Sequence, residues 1–544
     1  DGNKEIGDYA RIGLRAQASR VARSVKNHMG DRNWIFEVDG NRYTAAQLSS
    51  MILQRLAAGI KQSWGPEIQI DDVVIAVPAS FDGDMRADTI EAARLAGFKV
   101  EEKDGSPRSL LIDEPRAALY DLINQQRAGK IPAAVVDFSS PLNVMVFDLG
   151  GGTLDVSLHR VERVPNSLEI AVDDIAISRY TQLGGDQFDE LLAREFLTRF
   201  IERHKLDYDS LAPQDQNLIW INMLAAAEQA KQSLTAQIDR HLMTGPDDYH
   251  SLPGNLAVEV QVPFVFDDKG LFTQLTRAEY DKIIAPLLGW ELEAKDYQDI
   301  EALDYHSAEN IVFPVLDVLG KAHKRVGTAP SIDVVLLNGG MTRVHAIKDR
   351  VEQLLGLRPL TVLDPDKSVS RGASIYHYLL HKGFRPKAIL AETIGVEIAG
   401  NRIRHLVPAG TVLPTRMQFD DFAVPSDDVT IIDLPLYRGE SKQVQSANKP
   451  LIRRAFRLST PQPQGTPITA EINIDDNKIV TFKAWLTNNP SEKVEIEVHA
   501  ESTIPMEGNG TRKSAKQSQS QVITAPVGPP LDPLQIRRRL RLAA

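Results

Sequence analysis

The sequence predicts an α/β region followed by an all-β region, and three observations carry that expectation. Short apolar strands alternate with helical stretches up to about Phe384. From Ile394 onward the text becomes short alternating runs punctuated by turn signals at Gly400-Asn401, Asp420-Asp421, Ser426-Asp427, Gly439 and Asp475-Asp476. Within the first region, a glycine-rich stretch over 143–157 organises the elements around it.

With 544 residues, 42% of them hydrophobic, the chain exceeds what one core supports, so several domains are expected. A net charge of -11 argues against a general nucleic-acid binder, which needs a basic surface to release counterions. The absence of cysteine rules out a disulfide framework and any thiolate metal ligand or nucleophile. No apolar run approaches a membrane span and no basic-then-apolar leader is visible, so a cytoplasmic protein without a membrane partner is expected. The first residue is Asp1, which leaves room for residues upstream.

Taken in order, residues 1–29 are polar and helix-compatible and carry Lys26 in Ser-Val-Lys-Asn-His-Met-Gly, a lysine that is bland by itself. Alternation around Asp39-Gly40 predicts a hairpin over 34–43, and Leu48, Ile52, Leu56 and Ile60 give 45–60 a helical stripe. A buried-strand pattern over 72–77 ends at Pro78, and a helix over 88–95 closes at Gly97. A strand over 108–115 ends in Asp-Glu-Pro; the proline can start a helix over 116–123, and Glu114 alone reads as a turn or cap residue.

In the central stretch, 144–147 is an apolar run and Val156 restarts a strand, so Gly150, Gly151 and Gly152 sit at the bend of a hairpin. Glycines let backbone N–H groups close around phosphate oxygens, Asp148 and Asp155 flank them with carboxylates suited to a Mg²⁺ water shell, and Thr153 adds a hydroxyl. A hairpin whose aspartates only cap the turn is the bland alternative. Carboxylates on both sides with a threonine inside favour nucleotide phosphate.

Gly184-Gly185-Asp186 then introduces a helix with Phe188, Leu191, Leu192, Phe196 and Phe200 on one face, which Asp186 can cap. On a helix over 224–234, Glu228 and Lys231 stand three apart, where a solvated ion pair is the ordinary reading. Residues 240–272 are turn-rich with two alternating runs, 277–288 is helical, and 289–306 is acidic without a strong period. An apolar strand over 332–337 runs into Asn338-Gly339-Gly340 and a helix over 344–355, placing glycine N–H groups at a helix start. The all-β region spans about 390–500. Residues 501–544, rich in Ser, Gln, Gly and Pro, are expected to be disordered, with the arginine run a solvated end.

Lined up in order, VVIAVPASFDGDMRADTIEAARLAGF (73–98), LIDEPRAALY (111–120), DLGGGTLDVS (148–157), LLNGGMTR (336–343) and DPDKSVSRGA (364–373) resemble segments of the seventy-kilodalton heat-shock chaperone family. They match its lobe-joining segment, glutamate loop, second phosphate loop, adenosine loop and closing helix. The resemblance runs from about Gly7 to Val498. It implies an α/β two-lobed, actin-like ATPase domain over 1–383, a linker over 384–392, an all-β sandwich peptide-binding domain over 393–500 and a polar tail over 501–544.

Residue by residue, the resemblance assigns Lys26 to the attacking water or γ-phosphate, Glu114, Asp148 and Asp155 to ordering water and Mg²⁺, and Thr153 to the γ-phosphate. Gly150, Gly151, Gly152, Gly184 and Gly185 would line the phosphates. Glu228, Lys231 and Thr235 would grip adenosine from one side, with Gly339, Gly340, Arg343 and Asp366 opposite; Gln232 stands where the family has arginine. Val396, Ile398, Ala399, Val429 and Ile431 align with or beside the peptide pocket, plain sandwich core being the alternative for each. Pro78 and Arg86 match a relay of nucleotide state. The implied cofactors are ATP or ADP with Mg²⁺, the clients are extended or unfolded polypeptides, and the partners are a J-domain co-chaperone and a nucleotide exchange factor.

Three departures accompany the match. Nothing before Lys26 resembles the family's first phosphate loop, 385–392 reads RPKAILAE where the family has leucines ending in aspartate, and no helical-lid period follows the sandwich. They predict impaired ATP turnover in this chain. They also keep open a chaperone-related scaffold or exchange factor with little turnover, whereas a small-molecule kinase or filament-forming relative would leave the β region unexplained.

Overall fold

Asp39 and Gly40 both adopt positive φ, which makes the tight turn between β1 (Phe36–Val38) and β2 (Asn41–Tyr43). The computed structural model describes residues 4–7, 10, 20–163, 170–179, 181–245, 249–299, 310–328, 330–362, 364–384, 388–398, 400–444 and 449–497. The tail over 501–544, Ala399 and linker residues 385–387 lie outside the described residues. After β2, Thr44 and Gln47 exchange side-chain and backbone hydrogen bonds in a capping box that starts α1 (Ala45–Trp64).

The strand expected over 72–77 is shorter, β3 (Ile75–Val77), and the helix after it is longer, α2 (Gly83–Leu95), because the Asp82 carboxylate caps the Met85 N–H. β3 pairs in parallel with β4 (Leu111–Asp113), the two joined across α2. Glu114 is the first residue of α3 (Glu114–Arg127) and Pro115 lies in its first turn, where a missing N–H costs nothing. β5 (Leu142–Leu149) turns back through the glycines into β6 (Leu154–Arg163), which pairs with β7 (Ile170–Ile177). Asp186 is not the cap of α4 (Gly185–His204): Gly184 holds that position, and its N–H donates to Gln187 Oε1 at 2.7 Å.

α5 (Pro213–Thr244) extends well beyond its expected core and leads to the hairpin of β8 (Ala257–Phe266) and β9 (Lys269–Thr276), then α6 (Arg277–Leu288). Another helix, α7 (Phe313–Val326), carries no expectation from the pattern reading; it is buried on most sides through Val315, Leu316, Val318 and Leu319. The order continues with β10 (Val334–Asn338), α8 (His345–Leu355), β11 (Leu360–Thr361) and α9 (Pro365–His381).

A five-stranded sheet in the order β11-β10-β5-β6-β7 is the centre of this mixed α/β part. Met145, Phe147 and Leu149 point into one core, Val144 and Val146 into the other, so both faces are covered and 144–147 reads as an unbroken apolar run. On the second face α3 and α9 pack against each other. A Cβ at Gly372 would lie 1.7 Å from the Ala117 carbonyl oxygen, so this crossing requires glycine.

Beyond β12 (Ala388–Ile389) come β13 (Ile394–Ile398), β14 (Arg402–Val407), β15 (Val412–Leu413), β16 (Thr415–Ala423), β17 (Val429–Arg438), β18 (Lys449–Gln462), β19 (Pro467–Ile474), β20 (Val480–Leu486) and β21 (Asn489–Glu497). Sheets β14-β13-β17-β18 and β16-β19-β20-β21 share one core. The alternation is plain in β19 and β20, where Ile468, Ala470, Ile472 and Ile474 meet Val480, Phe482, Ala484 and Leu486.

Charged and polar groups join the β region to the α/β part. Asp113 is buried between Arg86 and Lys478, 2.6 and 2.8 Å away. Asn477 Oδ1 accepts from the N–H groups of Leu110 and Leu111, and its Nδ2 donates to the Arg108 carbonyl. Arg438 pairs with Asp82 at 2.6 Å. Ile389 packs with Ala79 and Ile177, and its N–H donates to Asp174 Oδ2.

Two glycine substitutions should move stability in opposite directions. Gly372→Ala forces α3 and α9 apart and should cost about 3 kcal/mol or more, whereas Gly59→Ala, in α1 with only the tip of Arg55 nearby at 3.6 Å, should gain about 0.5–1 kcal/mol from helix propensity. Urea unfolding of both variants against the parent checks the signs.

Candidate functional site

β10 pairs in parallel with β5 in one uninterrupted register, Val334 opposite Val144 through Asn338 opposite Asp148. Both strands therefore end at the same edge, and the turns that follow them meet there. Gly339 has φ +83, and a Cβ on it would lie 2.3 Å from the Leu149 carbonyl oxygen and 2.7 Å from Asp148 Oδ1. A third turn joins: the N–H groups of Gly185 and Asp186 donate to the carbonyls of Gly150 and Gly151, and a Cβ at Gly184 would meet the Gly152 nitrogen at 2.5 Å. Similar constructions place Gly185 3.4 Å from Lys231 Nζ and Gly152 2.8 Å from the Asn27 amide. Turns remote in sequence thus form one rim, on which Gly151 and Gly340 are exposed.

Carboxylates gather under this rim. Lys26 Nζ lies 2.9 Å from Glu114 Oε1; burial disfavours the ammonium, yet Glu114, with Asp155 and Asp148 behind it, keeps its pKa above the ordinary value. Asp148 is pushed up to about 7 by burial and by Glu114, and Asp155 to about 6 for the same two reasons. Ser80 donates to Asp155 through both its N–H and its hydroxyl. Asn338 Nδ2 donates to Asp148 Oδ2 at 2.7 Å, while the buried Asn338 Oδ1 has no hydrogen-bond partner among the described residues. Three carboxylates faced by one lysine, beside an unused acceptor, fit a divalent cation with its water shell. Thr153 is buried and closes the turn by accepting the Gly150 N–H on its carbonyl.

On α5, Lys231 is buried against Asp189 at 2.8 Å, and burial lifts the Asp189 carboxyl to about 6 even so. The Thr235 hydroxyl donates to the Lys231 carbonyl, and Gln232 donates to Glu228 at 3.3 Å. Arg343 is exposed at the end of the turn over Gly340–Arg343. Asp366 lies in the first turn of α9, with its side chain outside those described. The structure therefore brings Lys26, Glu114, Asp148, Asp155, Lys231 and the glycines at 150–152, 184–185 and 339 into one network. Pattern reading missed Ser80, Asn338, Asn27 and Asp189. Only Asn338, the polar end of an apolar strand before two glycines, carries a visible signal.

Of the other singled-out residues, Arg86 is buried and donates to the carbonyls of Pro78, Ala79 and Phe81 and to Asp113. Its fork does not meet the β region directly; Asp113 stands between it and Lys478. Val396 is buried opposite Leu436, Ile398 and Val429 are half-buried, and Ile431 is 52% exposed. A further constellation, Ser157, His159 and Asp174, has the hydrogen-bond order of a hydrolase triad at 2.7 and 2.9 Å. All three are buried in the sheet and Arg116 also holds Asp174, so the set is structural.

The two raised carboxyls have a signed consequence. Each binds its proton more tightly in the folded state than in the unfolded chain, so their contribution favours the fold at low pH and is lost as pH rises through about 6 and 7. Without nucleotide or Mg²⁺, Asp148→Asn should flatten this decline and be the more stable protein at pH 8 by roughly 1–3 kcal/mol. Thermal unfolding from pH 5 to 8 provides the check.

A family model described as Hsp70 protein matches residues 3–295 and 296–521. Among the described residues no helix is long and apolar enough to cross a membrane. With the match running over nearly its whole length, the chain belongs to the Hsp70 family of nucleotide-binding, polypeptide-binding chaperones.

Proposed function

We propose that this protein is an ATP-dependent chaperone of two-lobed, actin-like ATPase architecture with a β-sandwich peptide-binding domain, in which nucleotide state governs affinity for extended apolar peptides. The observation that carries the nucleotide half is the meeting of the turns after β5 and β10 over Asp148, Asp155 and Glu114. In this reading the N–H groups of Gly151 and Gly152 face phosphate oxygens, Gly150, Gly184 and Gly185, whose N–H groups bond within the protein, line the same cradle with backbone, and Gly339, Gly340, Arg343 and Asp366 border the nucleoside with Glu228, Lys231 and Thr235 opposite. Asp148 and Asp155 hold the waters of Mg²⁺, which supplies charge neutralisation to the phosphates. Glu114 orients the attacking water, Lys26 stabilises charge beside it and is itself held in place by Glu114, and Thr153 lines the γ-phosphate side.

Support for the peptide half is apolar surface at the ends of β13 and β17, through Ile398, Val429 and Ile431, while Val396 serves the core. Support for coupling is the buried Asp113, shared by Arg86 of the α/β part and Lys478 of the β region. Burial opposes its charge, but Lys478 and Arg86 together hold its carboxyl below the ordinary value, so loss of either cation would leave a buried charge less well matched.

Nucleotide binding, peptide release and ATP turnover test this. Mg²⁺-ATP should bind the folded protein, and Gly184→Val, whose side chain would run into the Gly151-Gly152 backbone, should weaken it about tenfold or more. An apolar peptide should dissociate faster on ATP addition, and Lys478→Met should reduce that acceleration about tenfold. Absence of nucleotide binding, or equal binding by Gly184→Val, would overturn the reading. Binding of nucleotide and peptide without turnover or ATP-accelerated release would identify the scaffold class instead.

A further inference from the structure

The geometry points to a transition-metal site, of the kind that takes Zn²⁺, formed by His377, His381 and Asp72. His377 and His381 are one turn apart at the C-terminal end of α9, so their rings project from one face, with centroids 4.6 Å apart. Asp72, just before β3, closes a triangle: Oδ1 is 3.0 Å from His377 Nε2, Oδ2 is 3.2 Å from His381 Nε2, and the two Nε2 atoms are 3.3 Å apart. Bonds of about 2.0–2.2 Å in a tetrahedral zinc site separate neighbouring ligand atoms by about 3.3–3.6 Å. The three ligand groups thus already stand near the spacing of one tetrahedral face.

Two imidazoles and one carboxylate form a borderline donor set that favours Zn²⁺ or Co²⁺ over Mg²⁺ and Ca²⁺, which prefer oxygen ligands. Asp72 supplies the anionic ligand, and each histidine would bind through a neutral imidazole. Arg108 Nη2, 2.6 Å from Asp72 Oδ1, acts in two directions. Its hydrogen bond fixes the carboxylate, while its charge repels a cation, so the affinity is tempered. His381 is 57% exposed, which gives a cation a route from solvent and leaves the fourth position to water. A cation here would tie the last turn of α9, the final helix before β12, to the segment entering β3. This inference does not depend on the nucleotide reading.

Calorimetric titration of the full chain with Zn²⁺, in the presence of excess Mg²⁺, should show one site per chain; Co²⁺ in its place should give the intense visible absorption of tetrahedral coordination. His381→Gln should weaken Zn²⁺ binding about tenfold or more, His377→Gln/His381→Gln should abolish the site, and Arg108→Gln should tighten it. Zn²⁺ should raise the thermal midpoint of the parent but not of the double variant. Should the double variant fail to fold, His381→Gln and Arg108→Gln decide: both must shift affinity, in opposite directions. Absence of Zn²⁺ binding by the parent at millimolar concentration, or equal affinity in the parent and the folded histidine variants, would overturn the proposal and leave a hydrogen-bonded strut.

Discussion

One parallel strand pairing carries the architecture of the cradle. β5 and β10 are remote in sequence, and only their register, Asn338 opposite Asp148, makes the two glycine turns leave the sheet at the same level. A slip of one residue would send Asp148 to the other face and separate Gly339 from Leu149. The register is held by both cores at once, because successive residues of β5 are buried on opposite sides of the sheet. Apolar burial, which has no direction of its own, thereby positions polar groups that must be placed closely.

The buried carboxylates divide into two kinds with different consequences. Asp113 and Asp174 are matched by cations, Arg86 with Lys478 and Arg116 respectively, and stay ionised at the junction between the α/β part and the β region. Asp148 and Asp155 are under-matched, and their proton affinities rise accordingly. A matched buried pair resists removal of either partner, whereas an under-matched group lowers stability until a cation reaches it. Stability is thus given up at the cradle and recovered at the junction.

The junction contains several short, specific polar contacts. Asn477 accepts from the buried N–H groups of Leu110 and Leu111, Asp174 accepts the Ile389 N–H, and Arg438 meets Asp82, the residue that also caps α2. Each contact falls on the segment that runs from β3 to the start of α3, or on the edge strand β7. The same segment supplies Ser80 to Asp155 and Glu114 to Lys26. A change in charge at the cradle and a change in contact with the β region therefore act on one stretch of backbone.

Much of this was legible in the sequence because the signals are local. The alternation of β19 and β20, the Asp39-Gly40 turn, the helix over Arg277–Leu288 and the hairpin bent at three glycines each follow from residues close in the chain. Resemblance to one chaperone family extended that reading to Lys26 and Glu114, which are unremarkable by pattern alone. Where the reading failed, the cause was a partner distant in sequence. Asp186 looked like a cap, but Gln187 does that work and Asp186 is drawn to Ser24. α7, by contrast, carries a one-sided apolar stripe in its own sequence that the pattern reading passed over. Arg86 could be placed on a helix but not in a buried pair with Asp113, and neither His377 nor His381 suggested Asp72. The sequence by itself determined the elements and the chemistry available at each turn, since backbone preference and apolar period act over a few residues. Only the tertiary structure decided which carboxylates are matched, which turns touch and which histidines find an acidic partner, since charge and hydrogen bonding depend on distances that the chain sets only by folding.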